Sequence, residues 1–306
     1  ISAIYQKRSI EMGLGLKKKN NVFKKILSIN TQKRAGNSLG EIMNIFWVLP
    51  RMAHIFDGAP EERRNFLDLM ISSVDHLYKK NLSEYKKYKN ERLKILKRIS
   101  DTNDNKWLDV IEQKMSEVSV VICDSRRVFL NALNKCFKKI DDQIPLLYLK
   151  LSGEIDKALE EKPALFVEDL ISYKLKSNRS IDFLSGRTNF SVDKTDLLVF
   201  DKYSQQEAKT FSTGEQKIII MSILFSFFKI LENSKVSKVL FLLDDIFSYL
   251  DRRFIENIIT KLCELKLQTW ITDVRTEPSS DFKNYKSLID IINIDEYRFK
   301  VANNKL

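Results

Sequence analysis

The 306 residues carry 52 Lys and Arg against 41 Asp and Glu, a net charge of +11, with 43% hydrophobic residues, ample for a buried core in one large domain or two. Three widely spaced cysteines, Cys123, Cys136 and Cys263, fit neither a disulfide frame nor a zinc pattern and read as buried thiols of a cytoplasmic protein. The longest apolar run, Ile218 to Phe228, is broken by Ser222 and Ser226 and is too short to span a bilayer, so no membrane role is expected.

Positive charge gathers first in residues 1–50, where nine Lys and Arg face only Glu11 and Glu41. Such a cluster favours a polyanion, nucleic acid above all through counterion release, and makes Lys17, Lys18 and Lys19 candidate DNA contacts. A solvated lysine surface is the competing reading. The segment looks β-rich, with loose alternation over Ile1 to Tyr5 and Ile10 to Leu16. Asp57-Gly58 then makes a turn, and Pro60 with Glu61 and Glu62 opens a helix. Helical spacing continues to about Ile140, through Leu82, Tyr85, Leu93 and Leu96 and then Trp107, Ile111, Met115, Val118 and Ile122. Asp101 to Asn105 splits this stretch into two antiparallel arms. Beyond Pro145, Leu147, Leu149 and Leu151 alternate as a strand up to Gly153, and a helix follows near 165–177.

The remainder reads as α/β. Asp196 to Phe200 is a strand, Glu215 to Leu231 a buried helix, and Val239 to Leu243 an apolar strand. Phe254, Ile255, Ile258, Ile259, Leu262 and Leu265 mark one face of the next helix, and Thr269 to Thr272 a further strand. The tail alternates through Ile292, Ile294, Tyr297, Phe299 and Val301. Strand, helix and strand in this order imply parallel pairing with right-handed crossovers.

The chemistry is concentrated in Ser212 to Thr272. The strand Val239–Leu243 runs into Asp244-Asp245, which places both acids at the C-terminal edge of a parallel sheet, where open α/β folds bind ligands. Asp244 is the candidate Mg²⁺ ligand, and Asp245 the group that orients or deprotonates an attacking water. Upstream, Ser212, Thr213, Gly214, Glu215, Gln216 and Lys217 stand at the mouth of the apolar helix, where free N–H groups and the helix dipole attract an anion. An ordinary N-cap is the alternative for Ser212. Downstream come Ser248-Tyr249-Leu250-Asp251 and the polar strand end Thr272. Signature helix, acidic strand, Ser-x-x-Asp loop and polar strand end, in that order, match the C-terminal half of an ABC-type ATPase.

No G-x-x-x-x-G-K-[ST] run occurs, and the chain starts at Ile1, so the P-loop is expected to precede it on a longer polypeptide. The only histidines, His54 and His76, lie far upstream of Thr272, and Asp273 stands where transporter ATPases place a switch histidine. That argues against a transporter, and the hairpin is too short for the arms of an architectural coiled-coil ATPase.

At these residues the sequence resembles the RecF family of bacterial recombinational-repair ATPases, related to SMC heads, from about Ile1 to Arg275. Phe56-Asp57-Gly58 and Arg63-Arg64-Asn65-Phe66-Leu67-Asp68 are similar to its F-x-G and R-R-x-F-L-D motifs; Gly186-Arg187-Thr188, Ser212 to Lys217 and Trp270-Ile271-Thr272 also match. Ser191 to Asp196 departs from the family's G-P-H-R-[SD]-D, keeping only a base and the final acid, which implies a weakened contact to nucleotide or partner subunit. The resemblance implies an SMC-head-like fold with three parts: the β-rich remainder of a first lobe (1–58), a helical-hairpin lobe (59–190), and the signature helix with its acidic strand (191–306). It also implies ATP and Mg as cofactors and an ATP-dependent homodimer, with Ser212 and Gly214 acting across to the other subunit and Asp251 at the seam. DNA binding at single-strand gaps, RecO and RecR partners and a role in the SOS response follow likewise. A non-catalytic DNA-binding or interaction remnant, or another SMC-like head, is the alternative.

Overall fold

The computed structural model describes residues 2–5, 8–19, 22–34, 44–98, 102–137, 145–233, 239–248, 250–274 and 283–293. The basic N-terminal segment forms an antiparallel meander of β1 (Ser2–Tyr5), β2 (Arg8–Lys19), β3 (Val22–Ile29) and β4 (Gln32–Arg34). The β3–β4 turn is Asn30-Thr31, with φ of 49° and 67°. Two successive left-handed residues match the right-handed twist of the flanking strands, and Asn tolerates that conformation well. The Asn30 side chain also accepts from the Glu11 amide at 2.9 Å. β5 (Asn44–Val48), which the sequence patterns do not mark, follows.

Helix α1 (Pro60–Val74) begins at Pro60 with Glu61 and Glu62 in its first turn, as expected. A break that the helical spacing does not reveal comes at Asp75, whose carboxylate accepts from the Leu77 and Tyr78 amides at 2.9 and 3.1 Å and so caps α2 (His76–Leu96). α3 (Thr102–Cys136) returns along α2. The two arms are as expected, but the boundary falls earlier: α2 ends at Leu96, and residues 102–105 already belong to α3. Contacts Arg92–Glu112 and Tyr78–Arg126 fix the antiparallel register. β6 (Leu147–Ser152), α4 (Glu154–Glu161), α5 (Ala164–Ser177), α6 (Arg179–Ser185) and β7 (Asp196–Asp201) complete this part.

The expectation that β7 joins the parallel sheet is corrected: it pairs antiparallel with β6, from Ser152↔Asp196 to Leu147↔Asp201. β6 alternates buried and exposed positions and β7 buried and half-buried ones, the pattern of a sheet with one face turned from the core. The expected boundary near residue 190 falls between these two paired strands. The parallel sheet has the order β5-β8-β9, with β8 (Val239–Asp244) central and β9 (Gln268–Thr272) at one edge. α7 (Thr213–Asn233) precedes β8, and α8 (Arg252–Glu264) makes the β8-to-β9 crossover.

The core runs through this sheet. Phe46 meets the rings of Phe227 and Phe228 on α7 at centroid distances of 5.1 and 5.6 Å, Phe241 meets Phe228 at 5.0 Å, and Phe227 touches Phe129 of α3 at 6.0 Å. α7 is buried on all sides from Gln216 to Phe228, which explains why its apolar run shows no periodicity. The other sheet face is barer: cross-strand neighbours Trp47, Leu242 and Trp270 form a row whose two tryptophans are 41% and 61% exposed. Among the cysteines only Cys123 is buried; Cys136 and Cys263 are half-buried, a correction to the expectation for all three. Among the described residues no helix is long and apolar enough to cross a membrane. The alternating tail lies outside the described residues apart from Ile292, which is exposed and not in a strand.

Candidate functional site at the strand ends

Asp244 ends β8 and pairs in register with Thr272 at the end of β9. An apolar strand buried through Phe241 and Leu243 thus delivers an exposed carboxylate to the sheet edge. The Thr272 hydroxyl donates to Asp244 Oδ1 at 2.6 Å and accepts from the Asp245 amide at 3.1 Å. It therefore fixes the first acid and the backbone of the second. Asp245 adopts φ 47°, in the left-handed region, so the chain turns sharply just where the strand stops. The Ser248 hydroxyl then donates to Asp245 Oδ1. Asp244, Asp245, Ser248 and Thr272 form one hydrogen-bonded group, as their order in the sequence suggests.

Lys217 joins this group from below. Its side chain is buried, and Nζ donates to the carbonyls of Ser248 at 2.8 Å, Asp245 at 3.4 Å and Ile246 at 3.5 Å. Burial lowers the pKa of the amine, against the attraction of the Asp245 carboxylate. This lysine, which the sequence places with the rest of the signature segment at the mouth of the helix, thus points into its own chain, beneath the acidic turn. Helical periodicity assigns the residue to the apolar helix but does not reveal this direction; a lone lysine opening an apolar helix is the only hint in the sequence.

The rest of the signature segment is bound more locally. The Ser212 hydroxyl and amide donate to Glu215 Oε2 at 2.7 and 2.8 Å, and the Glu215 amide approaches Ser212 Oγ at 3.4 Å. This is a reciprocal capping box, so the N-cap role is filled; Ser212 and Thr213 nevertheless remain exposed and Gly214 half-buried. Gln216 is buried, and its Nε2 donates to Phe211 O at 3.0 Å and Asp57 Oδ2 at 3.2 Å, while Oε1 finds no partner among the described residues. Asp57 is itself on a fixed turn: Arg63 donates to the carbonyls of Ile55, Phe56 and Gly58 at 2.7–3.2 Å and to both Asp196 oxygens at 2.8 and 2.9 Å. Asp251 is exposed at the N-cap of α8.

The segment that departs from the family pattern is fully engaged. Ser191 accepts from Tyr85 at 2.8 Å, Asp193 pairs with Lys89, and Thr195 donates to Asp156 at 2.6 Å. Lys17 is exposed on β2, in a different sheet from the strands that carry the acidic turn; of Lys18 and Lys19 only their place on β2 is described. His54 and His76 are exposed and take no part in the acidic group.

The donor set can serve a small hard cation only in company. Among the described residues no three His, Cys, Asp or Glu side chains gather as a self-sufficient cage. One exposed carboxylate beside a second acid fits Mg²⁺, which keeps most of its shell as water and phosphate oxygens.

No family model matches the chain. It is 32% identical over 278 residues to the DNA replication and repair protein RecF of Rickettsia typhi, covering 89% of this chain and 75% of that protein. RecF of Rickettsia rickettsii (strain Sheila Smith) is 32% identical over 294 residues, covering 93% and 80% respectively. A solved structure described as the recombination mediator protein RecF-ATP in the RecFOR pathway superposes with a TM-score of 0.73 at 22% identity, covering 90% of this chain and 74% of that one.

Proposed function

The chain belongs to the RecF family of DNA replication and repair proteins and has the ABC-type ATPase fold, and from that premise we propose that it binds DNA under the control of ATP bound between two copies of itself. The observation that carries the proposal is the acidic turn: two carboxylates at the end of a parallel strand, one outward and tethered by Thr272, the other set in a left-handed turn by Ser248. Asp244 would hold Mg²⁺ together with phosphate oxygens, and Asp245 would accept a proton from, or orient, the attacking water. Magnesium-bound ATP supplies the charge that binds the two copies and the bond whose cleavage releases them. Ser212 and Gly214 of the second copy would meet the terminal phosphate at the open end of α7.

No G-x-x-x-x-G-K-[ST] run lies within the 306 residues. The bare apolar row Trp47, Leu242 and Trp270 crosses β5, β8 and β9, and its middle residue lies on the strand that ends in Asp244. The lack of a phosphate-binding run favours a second reading, a DNA-binding or interaction module without turnover. Nucleotide affinity separates the two: the ATPase reading expects Mg-ATP to bind the chain once it carries a P-loop segment, and Asp244→Ala to abolish hydrolysis. Unchanged hydrolysis in Asp244→Ala would refute the site.

The solved relative's place in the RecFOR pathway supports partners of the RecO and RecR kind; action at single-strand gaps and a contribution to the SOS response are part of the same proposal and rest on the family resemblance alone. Lys17, Lys18 and Lys19 are candidate phosphate contacts in this scheme.

A further inference from the structure

The outer face of α2 carries a basic stripe that the sequence-wide charge balance conceals. Lys79, Lys80, Lys86, Lys87, Lys94 and Lys97 are all exposed, and Arg98 continues the row. Their spacings of three, seven and eight keep them on one side of a helix. The opposite side holds Tyr78, Tyr85, Arg92 and Leu96, all buried against the rest of the helical part. Lys89, which lies off the stripe, is paired inward with Asp193. The acids of the helix, Glu84 and Glu91, sit half-buried at the flank; Glu84 reaches Lys80 only at 3.8 Å. Lys94 and Lys97, three apart, are like charges at neighbouring positions on the helix surface and repel one another, a cost that an external polyanion would relieve.

We propose that this face of α2 is a docking surface for the phosphate backbone of duplex nucleic acid; the inference rests on the DNA-binding reading above and adds where the duplex lies. From Lys79 to Lys97 the stripe extends about 27 Å at ~1.5 Å per residue. That spans roughly 8 base pairs at ~3.4 Å each. Lysine presents a point charge without the planar fork that reads bases, so contact is to phosphate and independent of sequence. An anionic lipid surface is the weaker match: an interfacial helix inserts its apolar face, and that of α2 is occupied by the protein core.

The test uses the 306-residue chain and a fluorescent duplex of about 25 base pairs, titrated by anisotropy at several salt concentrations. Lys79→Gln, Lys80→Gln, Lys86→Gln, Lys87→Gln, Lys94→Gln and Lys97→Gln combined are compared with the wild type. Gln matches Lys in helix propensity, so the helix should persist, as circular dichroism will check. The double variant Lys87→Glu with Lys94→Glu serves if the six-fold one does not fold. The proposal expects affinity at about 100 mM salt to fall tenfold or more, and the log-log salt slope to shrink by about 0.9 for each phosphate that the variant no longer neutralises. A folded variant with unchanged affinity and slope overturns the stripe while leaving DNA binding elsewhere intact. A wild type that binds no duplex even at low salt overturns the stripe, and the same result with Mg-ATP for the chain carrying a P-loop segment overturns the DNA-binding reading as well. Loss of binding to phosphatidylserine vesicles with duplex binding unaltered would assign the face to lipid and overturn the proposal.

Discussion

Two groups of charged residues illustrate opposite uses of polarity in this fold. In the helical part Arg92 is completely buried, donating to Glu112 at 2.8 Å, Asp182 at 2.7 Å and the Leu175 carbonyl at 2.7 Å, and Arg126 is held likewise by Asp68, Tyr78 and the Val192 carbonyl. Burial also pushes the Tyr78 phenol well above its ordinary pKa, so it remains a neutral donor to Asp68. These groups hold α1, α2, α3 and the α5–α6 segment together, and their hydrogen-bonding capacity faces inward. At the end of β8 the carboxylates are tethered by Thr272 and Ser248, yet Asp244 remains exposed. A buried charge satisfied from within marks structure; a charge fixed in direction but open to water marks a place for a ligand.

The largest expected effect falls on the buried side. Arg92→Met leaves Asp182 buried without its cation, Glu112 keeping Arg179 at 2.6 Å, and should cost about 3–5 kcal/mol in urea unfolding. If stability were unchanged, the contrast between the two groups would fail at its firmer end. Asp245→Asn should do the reverse in the chain carrying a P-loop segment. Turnover should fall by about 10²–10⁴-fold, the range for a missing general base, while the unfolding midpoint stays nearly constant and nucleotide-dependent association persists. Wild-type turnover in that variant would remove Asp245 from the chemistry.

Lys217 tests the boundary between the two categories, because it is buried like Arg92 but serves the acidic turn. Lys217→Met should cost about 1–3 kcal/mol by leaving the Ser248 carbonyl without this donor, and should speed amide exchange selectively around residues 245–248. Uniform exchange across the chain would make Lys217 an ordinary core residue. The smallest effect is expected for Ser212→Ala, about 0.5–2 kcal/mol from removal of the capping box, measured by thermal unfolding. No change at all would mean that the cap contributes nothing to α7.

The elements that are legible in the sequence are those with one dominant signal. β8 is an apolar run stopped by two acids, α8 shows a single buried face, and α7 is too apolar to be anything but core. β5 is not legible, because five residues become a strand only by pairing with β8, from Asn44↔Val239 to Val48↔Leu243. The partner of β7 is hidden for the same reason: chain order favours β8, whereas the pairing is with β6, across three helices. In the site, the order of motifs brings Asp244, Asp245, Ser248 and Thr272 together correctly, but side-chain direction lies beyond it. Lys217 and Arg92 are each a cation within a helix, and only packing shows that one supports a turn and the other an ionic core. The stripe on α2 is concealed because charge counted along the chain sums over all faces of a helix.

The shared nucleotide site is tested most directly by sedimentation velocity on the chain carrying a P-loop segment, with and without Mg-ATP, for wild type and Ser212→Arg. The account predicts a nucleotide-dependent dimer for the wild type and a folded monomer for the variant, since a bulky cation at the end of α7 obstructs the second copy's phosphate. A variant that dimerises with ATP as readily as the wild type would contradict it.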